Sequence, residues 1–566
     1  MLLFILALSL PFALFAAYIG PPSSSAGVVE REIKEEYSAK EIDPDNPPQI
    51  KIPDQQLDIS GDEELEIEEI TFIGNTVISC EELTKALTQY THCTVPLKRI
   101  CDICETIQEI YVERGYFLAR AYPPVQEIND GKLTIAIVEG TLGSVKVQGN
   151  EHYSEKYIAG YFSRFRGQAL NYNNLISSLL LLNENRDLVA TAVLTKGDKW
   201  NTADLIIQVK DERPLYTYID INNYGSDPTT LYRSGIRIDA GNTLTSGDCL
   251  SLTGVIGFPP SGLYFTNSSY SIPINHRGTK FDIAFLYSAF RVNTLTALDL
   301  TGVSAIGTGT ITHPIVRKKK VNADLFLSFD YKQIKNLTHN DISSYDRLRV
   351  VGFGSTIDWT DSIWGRNFFD PSIYIGIPDF LGGSKAVDPL ASRQGSGGRF
   401  FLFDLTYKRI QQLFRSGFIF LKVSGQLTPN KIPLAEQIYL GGIDTVRGYP
   451  TGSGLGDYGY CANLELRVSP PYDWKVWKLE KTVRQMIQGI VFIDHGGVFL
   501  NGSAAGEQNG LLLTSVGAGL RLFGPYDFFC NLDAGFPLTD KPQSSIPGQS
   551  TSFYTLYFKF AWQRRW

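Results

Sequence analysis

After Pro214 the chain alternates apolar and polar residues with a period of two, and this pattern constrains the fold more than any other feature. A β-strand sends successive side chains to opposite faces, so repeated alternation predicts strands with one apolar and one polar face. The apolar face is long and aromatic, as at Tyr554, Leu556, Phe558, Phe560 and Trp562. A soluble β-sandwich or propeller would need polar outer faces. The pattern therefore favours an antiparallel transmembrane β-barrel.

The length of this region sets the size of the barrel. Residues 214–566 leave room for about 14–18 strands at roughly 20–24 residues per strand and connection, and we expect 16. The mean hydropathy of the chain is −0.08, which excludes a protein made of many transmembrane helices.

Two similar units of order β-α-α-β-β precede the barrel, at 66–139 and 142–211. In the first unit, the apolar stripe Ile100, Ile103 and Ile107 predicts an amphipathic helix. Helices can cover only one face of each three-stranded sheet, so we expect the outer strand to keep an unpaired edge. Such edges accept a strand from a partner, and in the second unit we place this edge at Leu188–Thr195.

The N-terminal segment is expected to direct export. Residues 1–20 read as a signal peptide with Ala16 and Ala17 at the cleavage site, although no Lys or Arg precedes the apolar run. A retained membrane anchor is the alternative, and Pro11 argues against it. Residues 21–65 read as an acidic, Pro-rich linker with one short helix at about 28–41.

Four of the seven cysteines lie within a short stretch, and the pair Cys101 and Cys104 forms a CxxC motif. In an exported protein, disulfides are the expected fate of such thiols, whereas redox chemistry is the less favoured alternative. The pairing cannot be deduced from the sequence.

The chain shows no catalytic site and no motif for a cofactor or a metal. Its six histidines are scattered, and neither HExxH nor GxxxxGK[ST] occurs. The chain also lacks the dense basic patch that nucleic acid would require. We therefore predict that it is not an enzyme and binds no nucleic acid.

Several segments of the chain are distinctive: residues 113–126, 223–226, 270–274, 437–449 (QIYLGGIDTVRGY), 456–457 (GD) and 463–467 (NLELR). Together they resemble the two-partner-secretion outer-membrane transporters of the haemolysin-activator (ShlB/FhaC/HecB) family. This family belongs to a superfamily of proteins that combine POTRA domains with a barrel, and the same superfamily includes the BamA-type assembly factors. The resemblance implies that 66–139 and 142–211 are POTRA domains 1 and 2.

The resemblance also implies a lock inside the barrel. In the family, a loop with a VRGY motif at its tip folds back into the pore, and its arginine meets an aspartate of an FxD motif on the wall. Here the loop spans about 431–459, and Phe492 and Asp494 share one face of a strand. An arginine can bind a carboxylate through two parallel hydrogen bonds. The lock residues are then Val446, Arg447, Gly448, Tyr449, Phe492 and Asp494.

The function that the resemblance implies is protein export across the bacterial outer membrane. Periplasmic POTRA domains would catch an unfolded exoprotein, which passes through the barrel without nucleotide hydrolysis and folds outside into a long β-helix. The helix at 28–41 would occupy the pore at rest. Other partners would be outer-membrane lipid and, during biogenesis, the barrel-assembly machinery. The aromatic residue Trp566 resembles the signal that this machinery recognises. The expected substrate-binding residues are Leu188, Val189, Ala190, Thr191, Ala192 and Val193.

Two alternatives stay open. A general barrel insertase belongs to the same superfamily but usually carries more POTRA domains. A passive porin or surface receptor belongs to another class. A porin would need neither POTRA domains nor the VRGY motif, and a receptor of the plugged type would need a folded N-terminal plug domain, which the linker cannot provide.

Overall fold

The computed structural model describes residues 50–51, 64–128, 130–226, 229–258, 262–292, 299–475, 481–503, 509–539 and 553–565. The expected signal peptide, the helix at 28–41 and Trp566 lie outside these residues. The described chain forms an α/β unit up to Arg213 and a barrel from Pro214 onward.

The α/β unit consists of two successive halves that share the order β-α-α-β-β, and the first half has additional short strands. Its first half contains β1 (Ile50–Lys51), β2 (Glu64–Ile67), β3 (Glu69–Ile73), α1 (Cys80–Ala86), β4 (Cys93–Pro96), α2 (Arg99–Glu113), β5 (Arg120–Tyr122) and β6 (Lys132–Val138). Its second half contains β7 (Thr141–Gln148), α3 (Glu155–Ser163), α4 (Tyr172–Leu182), β8 (Leu188–Lys196) and β9 (Thr202–Asp211).

In the first half, helix α2 buries its apolar stripe against a sheet of order β3-β6-β5. The stripe comprises Ile100, Ile103 and Ile107, as the spacing predicts. The first half also contains β4, a strand that the sequence did not predict, which pairs antiparallel with β2. Strand β5 begins only at Arg120, because the Ala119 amide donates to the Tyr116 carbonyl and forms a turn there.

The thiols of the first half do not form the expected disulfides. Cys80, Cys93, Cys101 and Cys104 are all unbridged. Cys104 lies on the buried face of α2, and burial raises the pKa of its thiol to about 12. Because the thiolate is the reactive form, this environment also argues against redox chemistry at the CxxC motif.

The second half packs α3 and α4 on a sheet of order β1-β8-β9-β7. Residues Leu188, Ala190, Ala192 and Leu194 of β8 alternate into the core, which fixes the register of this strand. The short strand β1 pairs parallel with β8 on the side away from β9.

A buried carboxylate ends each half and caps a turn, which follows β3 in the first half and β7 in the second. Glu139 accepts hydrogen bonds from the amides of Thr76 (2.6 Å) and Val77 (2.9 Å). Asp211 accepts in the same way from the amides of residues 151–153. Burial opposes the ionisation of Glu139, but the hydrogen bonds, led by that from the Thr76 hydroxyl, outweigh burial and lower the pKa of this carboxyl.

The barrel closes with sixteen strands, which confirms the fold class predicted from the sequence. The fifteen neighbouring pairs whose register the structure describes are all antiparallel, and β10 closes the barrel against β27. The strands are β10 (Leu215–Asn222), β11 (Tyr232–Gly241), β12 (Cys249–Phe258), β13 (Leu263–Pro273), β14 (Lys280–Arg291), β15 (Leu300–Arg317), β16 (Val321–Thr338), β17 (Asp341–Thr360), β18 (Gly365–Gly376), β19 (Phe400–Phe414), β20 (Gly417–Leu427), β23 (Tyr458–Val468), β24 (Ile487–Phe499), β25 (Gly510–Phe523), β26 (Phe528–Pro537) and β27 (Thr555–Arg565).

Side chains alternate between the lumen and the outer surface. On β24, Phe492 and Asp494 are buried, whereas Val491 and Ile493 are about half exposed. Apolar side chains on the outside and polar side chains inside are what a membrane barrel requires. We call the end of the barrel at which β10 begins the inner rim, and the end at which β10 ends the outer rim. Among the described residues, no helix is long and apolar enough to cross a bilayer.

Candidate functional site

The VRGY loop joins β20 to β23 at the outer rim and spans 428–457, close to the expected 431–459. Within the loop, β21 (Ile438–Leu440) and β22 (Gly454–Gly456) pair antiparallel and form a hairpin. The root of the hairpin is therefore at Ile438 and Gly456, and its tip carries the motif. The tip residues Val446, Arg447, Gly448 and Tyr449 are all buried.

Arg447 binds Asp494 of β24 through two parallel hydrogen bonds. Its Nε lies 2.7 Å from Oδ2 and its Nη2 lies 2.8 Å from Oδ1, and the Arg447 amide donates to Oδ2 as well. Both side chains are almost inaccessible to solvent, at 4% and 0% exposure. Such a bidentate pair fixes the orientation of the guanidinium as well as its distance from the wall.

Two further carboxylates, which the sequence analysis did not identify as partners, surround the same guanidinium. Glu465 of β23 accepts from Nη1 of Arg447 at 2.7 Å, and Asp533 of β26 lies 3.9 Å away. Glu465 stands opposite Phe492 in the register of β23 and β24, which is why it reaches the site. Period-two phasing with Asn463 could have indicated that Glu465 faces the lumen.

The buried charges of the site balance one another. Glu465 also binds Arg467 at 2.6 Å, and Asp533 also binds Arg521 at 2.9 Å. Three carboxylates thus face three guanidinium groups, so that each ion has a partner of opposite charge. Phe492 completes the site, because the Arg447 guanidinium lies 3.5 Å from the centroid of its ring.

The backbone of the tip touches the wall at Gly448. This residue has a φ of +93°, which favours glycine, and it faces Gly535 of β26. A Cβ atom on Gly535 would lie 2.5 Å from the Gly448 nitrogen. Two glycines therefore allow the loop and the wall to approach this closely.

The remaining motif residues bind the last strands of the barrel. The Tyr449 hydroxyl donates to the Thr514 carbonyl at 2.8 Å, and the Tyr557 hydroxyl of β27 donates to the Tyr449 carbonyl at 3.1 Å. Val446 packs in a buried cluster with Tyr449 and Cys461. The tip thus contacts all five strands from β23 to β27.

The expected strand-binding edge lies in the α/β unit. The residues Leu188, Val189, Ala190, Thr191, Ala192 and Val193 all belong to β8, which pairs with β9 along its length. The sequence analysis expected the other edge of β8 to be unpaired, but part of this edge is paired. Ile50 pairs with Ala192 and Lys51 pairs with Val193, because β1 adds to this edge in parallel.

The described residues contain no group of three or more His, Cys, Asp or Glu arranged to hold a metal ion. The contacts of the VRGY tip are ion pairs, hydrogen bonds and packing. Such non-covalent contacts can hold a loop and can also break to release it.

Comparisons with known proteins agree with this architecture. Residues 201–522 match the model of the haemolysin secretion/activation protein ShlB/FhaC/HecB family, and residues 65–140 match the ShlB-type POTRA domain. The chain is similar to the heme/hemopexin transporter protein HuxB of Haemophilus influenzae, with 24% identity over 480 residues that cover 82% of each chain.

Solved structures share the fold. The structure of CdiB from Escherichia coli aligns with a TM-score of 0.74 at 17% identity, over 91% of this chain and 93% of CdiB. BamA from Haemophilus ducreyi lacking POTRA domains 1–3 aligns with a TM-score of 0.51 at 14% identity, over 89% of this chain and 100% of that one. The family model covers more than half of the chain. The protein therefore belongs to the ShlB/FhaC/HecB family of haemolysin secretion/activation proteins, which are outer-membrane transporters of secreted proteins.

Proposed function

We propose that this chain is a dedicated exporter that moves one large, unfolded protein through its barrel to the cell surface or the medium. The observation that carries the proposal is the VRGY tip, which is locked inside the lumen by a buried pair between Arg447 and Asp494. A loop held in the lumen by ion pairs can keep the pore closed at rest and move when a substrate arrives. A passive porin gains nothing from such an obstacle.

Capture of the substrate would occur at strand β8 of the α/β unit. An extended segment can add to a sheet edge through main-chain hydrogen bonds, which do not depend on its sequence. The pairing of β1 with β8 supports this assignment, because it is an instance of strand addition at that edge. The substrate would then pass through the barrel, and its folding outside would prevent return without nucleotide hydrolysis.

The proposal is tested by comparing cells that lack the protein with cells that carry the wild type, Arg447→Lys or Asp494→Asn. Lysine keeps the charge but cannot form the bidentate pair, so we expect export to fall by about tenfold or more in both variants. The measurements are the proteome of the medium and that of the outer membrane. Arg415→Lys is the matched control, because Arg415 forms an exposed pair with Asp473 at the inner rim.

Each outcome decides between the candidate functions. Loss of one very large secreted protein, with other barrels unchanged, would support the exporter. A broad fall in many outer-membrane barrels would support the insertase instead, and no change in either proteome would favour a porin or receptor. Normal export by both variants would show that export does not require the pair between Arg447 and Asp494.

A further inference from the structure

A second buried ion pair lies at the outer rim, away from the VRGY tip. Arg393 belongs to the connection between β18 and β19, and it binds both carboxylate oxygens of Asp457, the last residue of the VRGY loop. The Asp457 side chain is 0% exposed and that of Arg393 is 7% exposed. Neither the VRGY motif nor the FxD motif includes these residues.

Asp457, at the C-terminal end of the VRGY loop, accepts hydrogen bonds from the N-terminal part of the same loop and from a third outer connection. The Ile432 amide (3.1 Å) and the Gln437 side chain (3.2 Å) donate to Oδ1, and the Asn501 amide (2.6 Å) donates to Oδ2. Arg393 reaches the same junction a second time through the Asn501 carbonyl, at 3.5 Å.

The connection that carries Arg393 is itself fastened to the barrel wall and to the VRGY loop. The Ser392 amide donates to Asp346 of β17 at 3.0 Å, and the Ser392 hydroxyl accepts from the Leu434 amide at 3.0 Å. The root of the VRGY hairpin therefore has a fixed support that does not depend on the tip contacts.

The support at the root of the hairpin requires a cation beside the buried Asp457 carboxylate. A carboxylate buried without a cation is strongly unfavourable, and Arg393 is the cation that contacts Asp457. The neutral donors around Asp457 orient it, but Arg393 supplies the positive charge that balances it in this buried site. Removal of either charge leaves the other without its partner and loosens every segment that meets at this junction.

We propose that Arg393 and Asp457 are positioning residues: their pair holds the root of the VRGY loop at the outer rim and thereby sets Arg447 against Asp494. The hairpin of β21 and β22 transmits this position, because it connects the root directly to the tip. The inference concerns the resting geometry of the barrel, and it rests on the proposed function only where export is measured.

The chain contains its own reporter of the tip. Cys461 of β23 is 1% exposed and packs in the cluster with Val446 and Tyr449 beneath the loop. A maleimide can reach this thiol only when the tip moves away. Mass spectrometry of the peptide that contains Cys461 measures its labelling separately from the other cysteines.

The experiment uses the full-length protein in outer membranes, with Arg393→Gln, Asp457→Asn, Arg393→Lys and the control Arg415→Gln. Retained heat-modifiable mobility identifies folded barrels. We expect Cys461 to be labelled about tenfold faster or more in Arg393→Gln and Asp457→Asn, because loss of one partner of a buried pair shifts a local opening equilibrium by at least that factor. Arg393→Lys should give an intermediate rate, and Arg415→Gln should match the wild type.

Labelling as slow as in the wild type, in folded Arg393→Gln and Asp457→Asn, would overturn the inference. If Asp457→Asn does not fold, the contrast between Arg393→Gln and Arg393→Lys decides. Faster labelling with normal export would support the positioning role and count against the role of the lock in export, so the two ideas can fail separately.

Discussion

Arg447 owes its fixed position to residues on several strands. Asp494 and Glu465 bind its guanidinium, and the Tyr557 hydroxyl accepts a hydrogen bond from the following amide, that of Gly448, at 3.2 Å. At an intermediate dielectric, a contact pair such as Arg447 with Asp494 attracts by about 4 kcal/mol, and desolvation offsets much of this. The site therefore sets geometry more than it adds stability.

At the residue scale, the Arg447 and Asp494 partnership was predicted from two motifs, whereas Glu465, Asp533 and Tyr557 were not identified as partners. Their proximity depends on the register of β23, β26 and β27 and on where the tip lies in the lumen. A single sequence shows phase along one strand but not alignment between strands.

We predict that Gly535→Ala loosens the tip. The added Cβ would lie 2.5 Å from the Gly448 nitrogen, so the loop or the wall must shift. Overpacking of this kind costs about 1–3 kcal/mol, and we expect faster labelling of Cys461 and a several-fold fall in export. The maleimide reaction and the amount of exported protein measure both effects.

Gly307→Ala is the matched control, because a Cβ on Gly307 of β15 would meet no atom within 4 Å. It adds the same methyl group to a barrel strand without touching the tip. Equal labelling rates in the two variants would contradict the close approach of Gly448 and Gly535.

At the element scale, long periodic segments were predicted well and short ones were not. Helix α2 and strand β8 follow from stripes and alternation that continue over many residues. Strand β4 has four residues, too few for a reliable period, and its pairing with β2 is what makes it a strand. Strand β1 has two residues and gave no signal of its own.

We predict that fixing β1 on β8 blocks capture of the substrate. Lys51→Cys with Val193→Cys places thiols at partner positions of this parallel pair. If the substrate adds to the same edge, oxidation should reduce export about tenfold or more, and a reductant should restore it, because the edge can hold only one strand at a time. Export before and after reduction measures the effect within one protein.

Each single cysteine variant serves as the control for this pair, since it carries a new thiol but cannot form the bridge. Full export by the oxidised double variant would show that the substrate does not need this part of β8, and capture would then have to be sought elsewhere on the α/β unit.

At the scale of the whole molecule, length limited the barrel to about 14–18 strands, but closure was not visible in the sequence. The barrel closes because β27 pairs with β10, from Tyr216 opposite Arg565 to Asn222 opposite Lys559. This seam joins residues more than three hundred positions apart. Whether it has to open distinguishes an exporter from a barrel insertase. An exporter moves its substrate through the lumen, whereas an insertase must release strands sideways into the lipid.

We therefore predict that a bridge across the seam leaves export intact. Tyr218→Cys with Gln563→Cys places thiols at partner positions of β10 and β27. The oxidised variant should export its substrate within about twofold of the reduced variant, because a covalent bond along the wall does not narrow the path through the lumen. The single variants control for the loss of Tyr218, whose ring contacts Phe529. If oxidation stops export while reduction restores it, the seam must open during transport, and the chain would then work by a lateral route like that of an insertase.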